Sequence, residues 1–374
     1  MSMTNTEIGA GIAEEIHSAT RELLTREGLP GGLHHNEPAT AGLWTRVAGI
    51  GLTGLLLSEQ REGIGGSTPE LIAAFHAVGQ CLAPLPLAEA VAVLGATYGL
   101  DMPGVTALRD EVLAGRNWVA LAYSTIDTDG IVDNGAWEGV TITQDRIVGH
   151  KSLVNFGASA AWSMVTGRSE DGAPCVGLVD HRAVAGSDSA VEVTERTSAD
   201  PTYRPADLRY ENCSTELLAV GDDAVNLWQR IETVMRLAST AELAGIAESL
   251  LEIGRNYTLT REQFGKPIGG FQAIKHLAAD LHVIAYNMQS VCQAVAATEL
   301  SQVSEHTAAS VKAFCARAAL RSAEITFQIL GGIGYTEEHD FGLYYRRCLT
   351  LHAAPGSQRH RSTARIIAAP PGMP

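Results

Sequence analysis

The chain has 374 residues, a formal net charge of −15 and 45% hydrophobic residues. This length is enough for two or three packed layers with sizeable cores. No apolar run reaches the roughly 18 residues that a membrane-spanning helix needs, and no basic region followed by an apolar core marks a secretory signal. The negative charge argues against a nucleic-acid partner, because phosphate binding needs clustered Lys and Arg. We therefore expect a soluble cytoplasmic protein with no membrane or nucleic-acid partner.

The six cysteines are isolated from one another in the sequence. None forms a Cys-x-x-Cys pair, and no zinc-like spacing is present. We expect cysteines that behave as small buried hydrophobic residues of a reducing compartment, and no metal site. They are Cys81, Cys175, Cys213, Cys292, Cys315 and Cys348.

The first part of the chain, residues 1 to about 115, is predicted to be helical. Apolar residues recur on roughly one helical face between Thr6 and Glu27, and helix or short turns return from Leu43 to Leu57. A glycine-punctuated loop then leads to Ser67 or Thr68. Either residue can cap a helix over Pro69–Gly79.

The middle of the chain has a different composition, starting near Trp118. From there to about Leu218, short alternating runs are separated by turn signals, the pattern of a small antiparallel β domain with tight hairpins. Helices restart at Asp222 and continue to about Leu330. This order predicts an α+β fold with a helical domain at 1–115, a β domain at 116–220 and a four-helix bundle at 221–374. The turn signals are Asp129-Gly130, Asn134-Gly135 and Asp171-Gly172.

The stretch from Arg261 to Gln272 separates two predicted helices, Ile231–Thr258 and Ala273–Ser290. It holds an arginine, an aromatic residue, three glycines and a proline. Gly265 and Pro267 predict the end of the first helix and the start of the second. Arg261 brings a planar guanidinium that can clamp an anion such as a pyrophosphate. The alternative is an ordinary helix connection with a surface arginine.

A second glycine-rich stretch follows the last long helix and includes Gln328, Gly331 and Gly332. Together the two stretches resemble the acyl-CoA dehydrogenase family, FAD enzymes that oxidise acyl-CoA thioesters across Cα–Cβ. The resemblance implies a helical N-terminal domain, a middle antiparallel β domain and a C-terminal helical bundle. It also implies which residues of this chain contact the pyrophosphate, adenine and adenosine portions of an FAD shared with a neighbouring subunit. These residues are Arg261, Phe264, Gln272, Gln328, Gly331 and Gly332.

The segments that would contact the flavin ring match the family less well. The family's Thr/Ser-Glu-Pro segment corresponds here to Tyr123–Asp127, which lacks Glu-Pro. Its Lys-x-Trp-Ile-Thr-Asn segment corresponds to Lys151–Phe156. Leu153 stands where tryptophan is expected, and Asn155 stands where threonine is expected. An aliphatic side chain can cover a flavin face but loses the stacking geometry of an indole.

The family's catalytic base is also missing. A carboxylate must take the α proton while the β hydrogen leaves as a hydride to the flavin. By resemblance the family's Glu-Gly-Thr/Ser triplet falls on Pro355-Gly356-Ser357, and the less common base position falls near Met235. Neither proline nor methionine can accept a proton, so we predict no catalytic residue. Substitute bases remain an alternative, although each is more simply a surface or solvated group. They are Glu232, Glu242 and His352.

Adenosine-side residues are therefore present while flavin-ring residues and the base are not. This asymmetry resembles the base-lacking subunit of the actinobacterial heterotetrameric acyl-CoA dehydrogenases that act on bulky, steroid-type CoA thioesters. The resemblance implies a homologous catalytic subunit in an α₂β₂ assembly, an acyl-CoA substrate and an electron-transfer flavoprotein as acceptor. Two alternatives stay open: a self-sufficient homotetramer with a displaced base, and a non-enzymatic structural or regulatory homologue.

Overall fold

The structure of the protein is a computed structural model, which describes residues 5–35, 40–126, 132–133, 136–183, 190–337 and 339–354. The chain forms two compact units, each made of segments that are distant in sequence. Unit 1 comprises Met1–Pro38, Ser67–Ala83 and Arg236–Pro374, and unit 2 comprises Ala39–Gly66 and Pro84–Met235.

The described residues form nine α-helices, which occur in both units. In chain order they are α1 (Asn5–Arg26), α2 (Thr40–Gly49), α3 (Thr68–Cys81), α4 (Leu87–Ala96), α5 (Pro103–Leu113), α6 (Asp222–Thr260), α7 (Gln272–Ala296), α8 (Glu305–Leu330) and α9 (Phe341–Ala353). Short 3₁₀ turns flank several of them, among them Ile268–Gly270 before α7 and Gly331–Tyr335 after α8. No described helix combines the length and the apolar character that a membrane span requires.

The described residues also form twelve β-strands. They are β1 (Val119–Ala122), β2 (Thr125–Ile126), β3 (Val132–Asp133), β4 (Val140–Ile142), β5 (Arg146–Asn155), β6 (Trp162–Arg168), β7 (Pro174–Asp180), β8 (Ala190–Glu195), β9 (Pro205–Ser214), β10 (Glu216–Val220), β11 (Glu262–Gln263) and β12 (Lys266–Pro267). All but β11 and β12 belong to unit 2.

The start of α3 shows why the chain becomes helical where the sequence predicts it. Ser67 is the N-cap, and its backbone N–H and its hydroxyl both donate to the Glu70 carboxylate at 2.8 Å. This pairing at N-cap and N3 satisfies donors that the first helical turn cannot. The predicted cap is confirmed at Ser67, and the helix begins at Thr68.

Two glycines set how closely α3 and α6 approach inside unit 1. A Cβ atom on Gly79 would lie 2.0 Å from the backbone oxygen of Glu242, and one on Gly245 would lie 2.1 Å from that of His76. The two backbones are therefore in direct contact, which only a residue without a side chain permits. This contact holds the N-terminal helices of unit 1 against the long helix α6.

The sheet of unit 2 has the strand order β10-β7-β6-β4-β5-β9-β8, with β1 also paired to β6. Most pairs are antiparallel, as predicted, and the Asp171-Gly172 turn closes the β6–β7 hairpin with Gly172 at φ 87°. The pairs β1–β6 and β4–β6 are parallel, whereas the predicted β domain contains only antiparallel hairpins. Parallel neighbours are joined by long connections, so this pairing leaves no local turn signal.

The predicted fold class, helices followed by a β region and then a helical bundle, is confirmed. The boundaries of the three predicted domains stay a prediction, because the two compact units divide the chain in a different way. All six cysteines are free and buried, as predicted. The turn signals Asp129-Gly130 and Asn134-Gly135 lie outside the described residues.

Candidate cofactor site

The stretch from Arg261 to Gln272 forms a β-hairpin and a 3₁₀ turn between α6 and α7. Its two central residues, Phe264 and Gly265, have φ values of 51° and 77°, the left-handed conformation that suits a two-residue hairpin. β11 pairs with β12, and the N–H of Ile268 donates to the Arg261 carbonyl at 2.8 Å. The prediction that Gly265 ends one helix and Pro267 begins the next is therefore wrong. The hairpin forms because its strands satisfy each other's backbone groups after α6 has ended at Thr260.

The second glycine stretch directly follows α8. Gly331 has φ 60° and caps the helix through its N–H, which donates to the carbonyl of Phe327. Gly334 lies so close to the Phe327 ring that a Cβ atom there would come within 2.9 Å of it. The stretch therefore turns back over the end of α8 because glycines accept both the backbone angle and the close approach.

These two stretches line one pocket of about 570 Å³, a size typical of small-molecule sites. Of the six predicted contact residues, Arg261, Phe264 and Gly332 lie in its wall. Gln272, Gln328 and Gly331 do not, although each is next in sequence to a lining residue. The wall consists of Tyr257, Arg261, Gln263, Phe264, Ile268, Phe271, Ile274, Ile329, Leu330, Gly332 and Ile333.

The guanidinium and the aromatic tip of this pocket are open to water. Within the part of the chain that the structure describes, no carboxylate pairs with the exposed guanidinium of Arg261. Phe264 is 92% exposed and meets the Phe271 ring edge-on, at 6.1 Å between centroids. An unpaired guanidinium beside a bare aromatic ring and apolar side chains suits a ligand with a pyrophosphate and a flat base. The residues present therefore fit the adenosine diphosphate part of FAD.

The sequence reasoning missed the apolar part of this wall. Tyr257 lies in the last turn of α6, four residues before Arg261, and its carbonyl accepts from the Arg261 N–H at 2.9 Å. That spacing was the available signal. Ile274 and Ile329 gave no such signal, because apolar residues in amphipathic helices usually face a core.

In unit 2, the segment that the resemblance assigns to the flavin ring is held by its own contacts. Lys151 is fully buried, and its ammonium donates to three backbone carbonyls at 2.6–3.1 Å. The Ser124 hydroxyl donates to the carbonyl of Ser152 at 2.5 Å. These donors stabilise the β domain itself. Asp127, the last residue of the other flavin-ring segment, lies outside the described residues.

Leu153 and Asn155 are fixed in the same way. Leu153 has φ 55°, its N–H donates to Asp207 at 3.2 Å, and its carbonyl accepts from the Tyr203 hydroxyl at 2.7 Å. The Asn155 amide donates to Glu89 at 2.8 Å. The segment thus presents no aromatic ring at position 153, and its polar side chain at 155 is bonded within the unit.

The substitute base Glu242 is bonded inside unit 1. Its carboxylate accepts from Arg347 Nε at 2.6 Å, and the two side chains are 5% and 12% exposed. A carboxylate held by a guanidinium away from water is poorly suited to accept a substrate proton. Its partner Arg347 belongs to α9 of the same chain.

The other two substitutes lie on α6 and α9. Glu232 lies near Tyr123, whose pKa is raised mainly by burial and further by the charges of Tyr203, Glu89 and Glu232. The His352 Nδ1 atom is buried and has no hydrogen-bond partner among the described residues. Roles for Glu232 and His352 stay predictions. Pro355, Gly356 and Ser357, where the family's base triplet falls, lie outside the described residues.

Comparisons with known proteins find similarity to one family. Residues 228–368 match the acyl-CoA dehydrogenase C-terminal domain. Acyl-CoA dehydrogenase FadE34 of Mycobacterium tuberculosis is 29% identical over 319 residues, which cover 83% of this chain and 40% of FadE34. This chain thus spans less than half of the length of that relative.

Solved structures share the fold over nearly the whole chain. A variant of the Tcur3481-Tcur3483 steroid ACAD has a TM-score of 0.81 at 24% identity, covering 96% of this chain and 100% of that one. The ChsE4-ChsE5 complex of Mycobacterium tuberculosis has a TM-score of 0.77 at 22% identity, covering 99% of both chains. The sequence match covers the C-terminal part of the chain, which includes the hairpin and the glycine stretch that line the pocket. By this match and by its fold, the chain is similar to the acyl-CoA dehydrogenase family.

Proposed function

We propose that this chain is a subunit of an FAD-dependent acyl-CoA dehydrogenase and that it completes the FAD site of a homologous catalytic subunit. In this proposal its hairpin and glycine stretch bind the adenosine diphosphate part of the cofactor. The partner supplies the flavin-ring pocket and the carboxylate that takes the α proton. FAD is the cofactor of the family. When bound, it supplies the acceptor for the hydride that leaves the β carbon.

One observation carries the proposal: the two halves of the family's FAD site are in opposite states in this chain. In unit 1, Arg261 and Phe264 are exposed, and Arg261 has no ion-pair partner within the described residues. In unit 2, Lys151 and Asn155 already use their polar groups on the protein itself. A subunit that shares a site with a partner needs exposed, unpaired groups where it binds the cofactor. Its other polar groups can be satisfied by hydrogen bonds within the protein.

The nature of the partner is inferred from the similar proteins. One neighbour is the ChsE4-ChsE5 complex, and another is the Tcur3481-Tcur3483 steroid ACAD, and each of these names joins two chains. We extend to this chain an α₂β₂ assembly that oxidises bulky, steroid-type acyl-CoA thioesters. An electron-transfer flavoprotein is the proposed electron acceptor.

Within this assembly, three residues of the pocket have a defined task. Arg261 neutralises the pyrophosphate and holds it by directed N–H groups, which a lysine could not do with the same geometry. Phe264 covers one face of the adenine, and the backbone at Gly332 approaches the ligand closely because it has no side chain. None of these residues moves a proton. Turnover therefore depends on the partner.

The test is the flavin content and native mass of the chain purified alone and after co-expression with a homologous subunit that retains the glutamate triplet. We expect flavin absorbance and acyl-CoA bleaching only in the mixed complex. Arg261→Ala should weaken FAD retention about tenfold to a hundredfold, because it removes charge-assisted hydrogen bonds. Arg255→Ala is the matched control, since Arg255 is an exposed arginine near the end of α6 that does not line the pocket.

The alternatives give different results. A lone chain that is yellow and is bleached by an acyl-CoA is a self-sufficient enzyme with a displaced base. A chain that stays colourless with every partner is a non-enzymatic homologue. An Arg261→Ala complex that keeps its flavin as well as the Arg255→Ala complex would refute the assigned role of the hairpin.

A further inference from the structure

Helix α9 is fixed to the rest of unit 1 by polar contacts along one face. Near its start, the Tyr344 hydroxyl donates to the Gln80 carbonyl at 2.6 Å. One turn later, Arg347 pairs with Glu242 at 2.6 Å. The third contact is made by Lys312 of α8, which reaches the end of the helix. Three different helices, α3, α6 and α8, thus hold successive turns of α9.

The contact at the end of α9 involves a lysine with no exposure to water. The Lys312 ammonium donates to the carbonyl of Leu351 at 2.6 Å and to that of Ala354 at 2.8 Å. The last carbonyls of a helix have no partner within the helix and need a donor from elsewhere. Lys312 supplies it from a neighbouring helix, where most helices use a local cap.

Burying this amine has a cost that a purely apolar residue would avoid. Burial lowers the pKa of Lys312 to about 7, with the nearby charge of Arg236 as the smaller cause. Arg236 is itself buried and bonds Glu305 at 3.3 Å. An amine keeps two donors after losing its proton, so both carbonyl contacts are available in either protonation state.

The chain leaves α9 in an extended conformation at that point. Ala354 has φ −63° and ψ 163°. Residue 355 is a proline, which disfavours helical angles at the residue before it and has no N–H to continue the helix. The carbonyl of Ala354, oriented in this way, is one of the two that Lys312 binds. The proline at position 355 and the hydrogen bond from Lys312 therefore both affect the peptide group of Ala354.

We propose that Lys312 is a positioning residue that clamps the end of α9 to α8 and so fixes the direction in which the chain leaves that helix. A proline at position 355 disfavours continuation of the helix, and the lysine selects one orientation of the carbonyls at the helix end. The proposal concerns contacts within unit 1 alone. The role of Lys312 does not depend on the proposed shared FAD site, so it can be tested on the lone chain.

The experiment is amide hydrogen exchange on the full chain, comparing peptides from the last turn of α9 with peptides from its first turn. Lys312→Met removes both donors. We expect exchange in the last turn to accelerate about tenfold or more, while the first turn, held by Tyr344, stays within about twofold. Lys312→Arg keeps donors at the same site and should restore slow exchange at least in part.

Ser322→Ala is the matched control. Ser322 is a fully buried polar residue of the same helix whose hydroxyl has no partner in the described part of the chain, so its loss breaks no described hydrogen bond. This variant should exchange as the wild type does. If Lys312→Met does not fold, Lys312→Gln, which has a shorter neutral donor, is compared in the same way. Unchanged exchange in the last turn, or acceleration spread evenly over α7, α8 and α9, would overturn the proposal.

Discussion

Arg347 and Glu242 lie 105 residues apart in sequence and form a buried ion pair within unit 1. Arg347 Nε is 2.6 Å from Glu242 Oε1, which joins α9 to α6. Arg347 thus engages the Glu242 carboxylate, which the sequence analysis named as a possible substitute base. Its loss should therefore affect stability and leave the chemistry of an assembled enzyme unchanged.

We expect Arg347→Met to destabilise the chain by about 3–5 kcal/mol, because it leaves Glu242 charged and unpaired away from water. Urea unfolding monitored by circular dichroism measures the loss. The double variant Glu242→Met, Arg347→Met should recover part of it, since no buried charge remains. A single variant within about 1 kcal/mol of wild type would contradict the assignment.

The contact between α3 and α6 gives a second expectation. Gly245→Ala should destabilise the chain by about 3 kcal/mol or more, because the new Cβ atom would lie 2.1 Å from the His76 carbonyl oxygen and must push two backbones apart. Gly11→Ala is the control. Gly11 lies on α1 with nothing within 4 Å of its Cβ position, so alanine should stabilise by about 0.5–1 kcal/mol. Similar thermal melting of the two variants would refute this account.

Lys312 makes stability depend on alkaline pH. Its pKa is about 7 in the folded chain and near 10.5 when unfolded. Between these values the unfolded chain holds a proton that the folded chain has lost, so stability should rise as the pH goes from 7 to 10.5. The full rise is on the order of 5 kcal/mol. Lys312→Met should lack this rise, so that it is least stable relative to wild type at high pH. If the free energy of unfolding changed with pH in the same way for wild type and Lys312→Met, the lowered pKa of Lys312 would be contradicted.

His181 makes stability depend on acidic pH in the β region. Its Nε2 atom lies 2.9 Å from the Ser163 hydroxyl, and burial lowers its pKa to about 4. Between pH 6.5 and 4 the unfolded chain takes up a proton that the folded chain does not. Stability should therefore fall by about 3 kcal/mol as the pH falls through this window. His181→Gln should show a shallower fall in urea titrations, and an equal slope would exclude His181 as the cause.

Local signals in the sequence were sufficient for much of the fold. Ser67 and Glu70 are three residues apart, and their capping contact depends on nothing else, so the start of α3 was predictable. The turn at Asp171-Gly172 was predictable for the same reason. The hairpin tip was not, because Phe264 adopts a left-handed backbone that phenylalanine rarely signals.

Contacts between distant segments could not be derived from the sequence. The parallel pairing of Val119 with Trp162 involves no tight turn between the two strands, so the sequence carries no local signal for it. Half of the predicted contact residues for the cofactor line the pocket, and they were found through the resemblance to a family. The apolar lining residues and the partner of Glu242 depend on how helices pack, which a single sequence does not encode in a readable local pattern.

Phe264 stands at the tip of its hairpin with 92% of its surface in water, and Leu259 nearby in sequence is 60% exposed. An aromatic side chain in this position remains accessible to other apolar surfaces until a ligand or a partner chain covers it. We expect chains made without that covering molecule to be removed faster by proteases and chaperones. The abundance of the protein should therefore rise with the supply of the molecule that covers the tip.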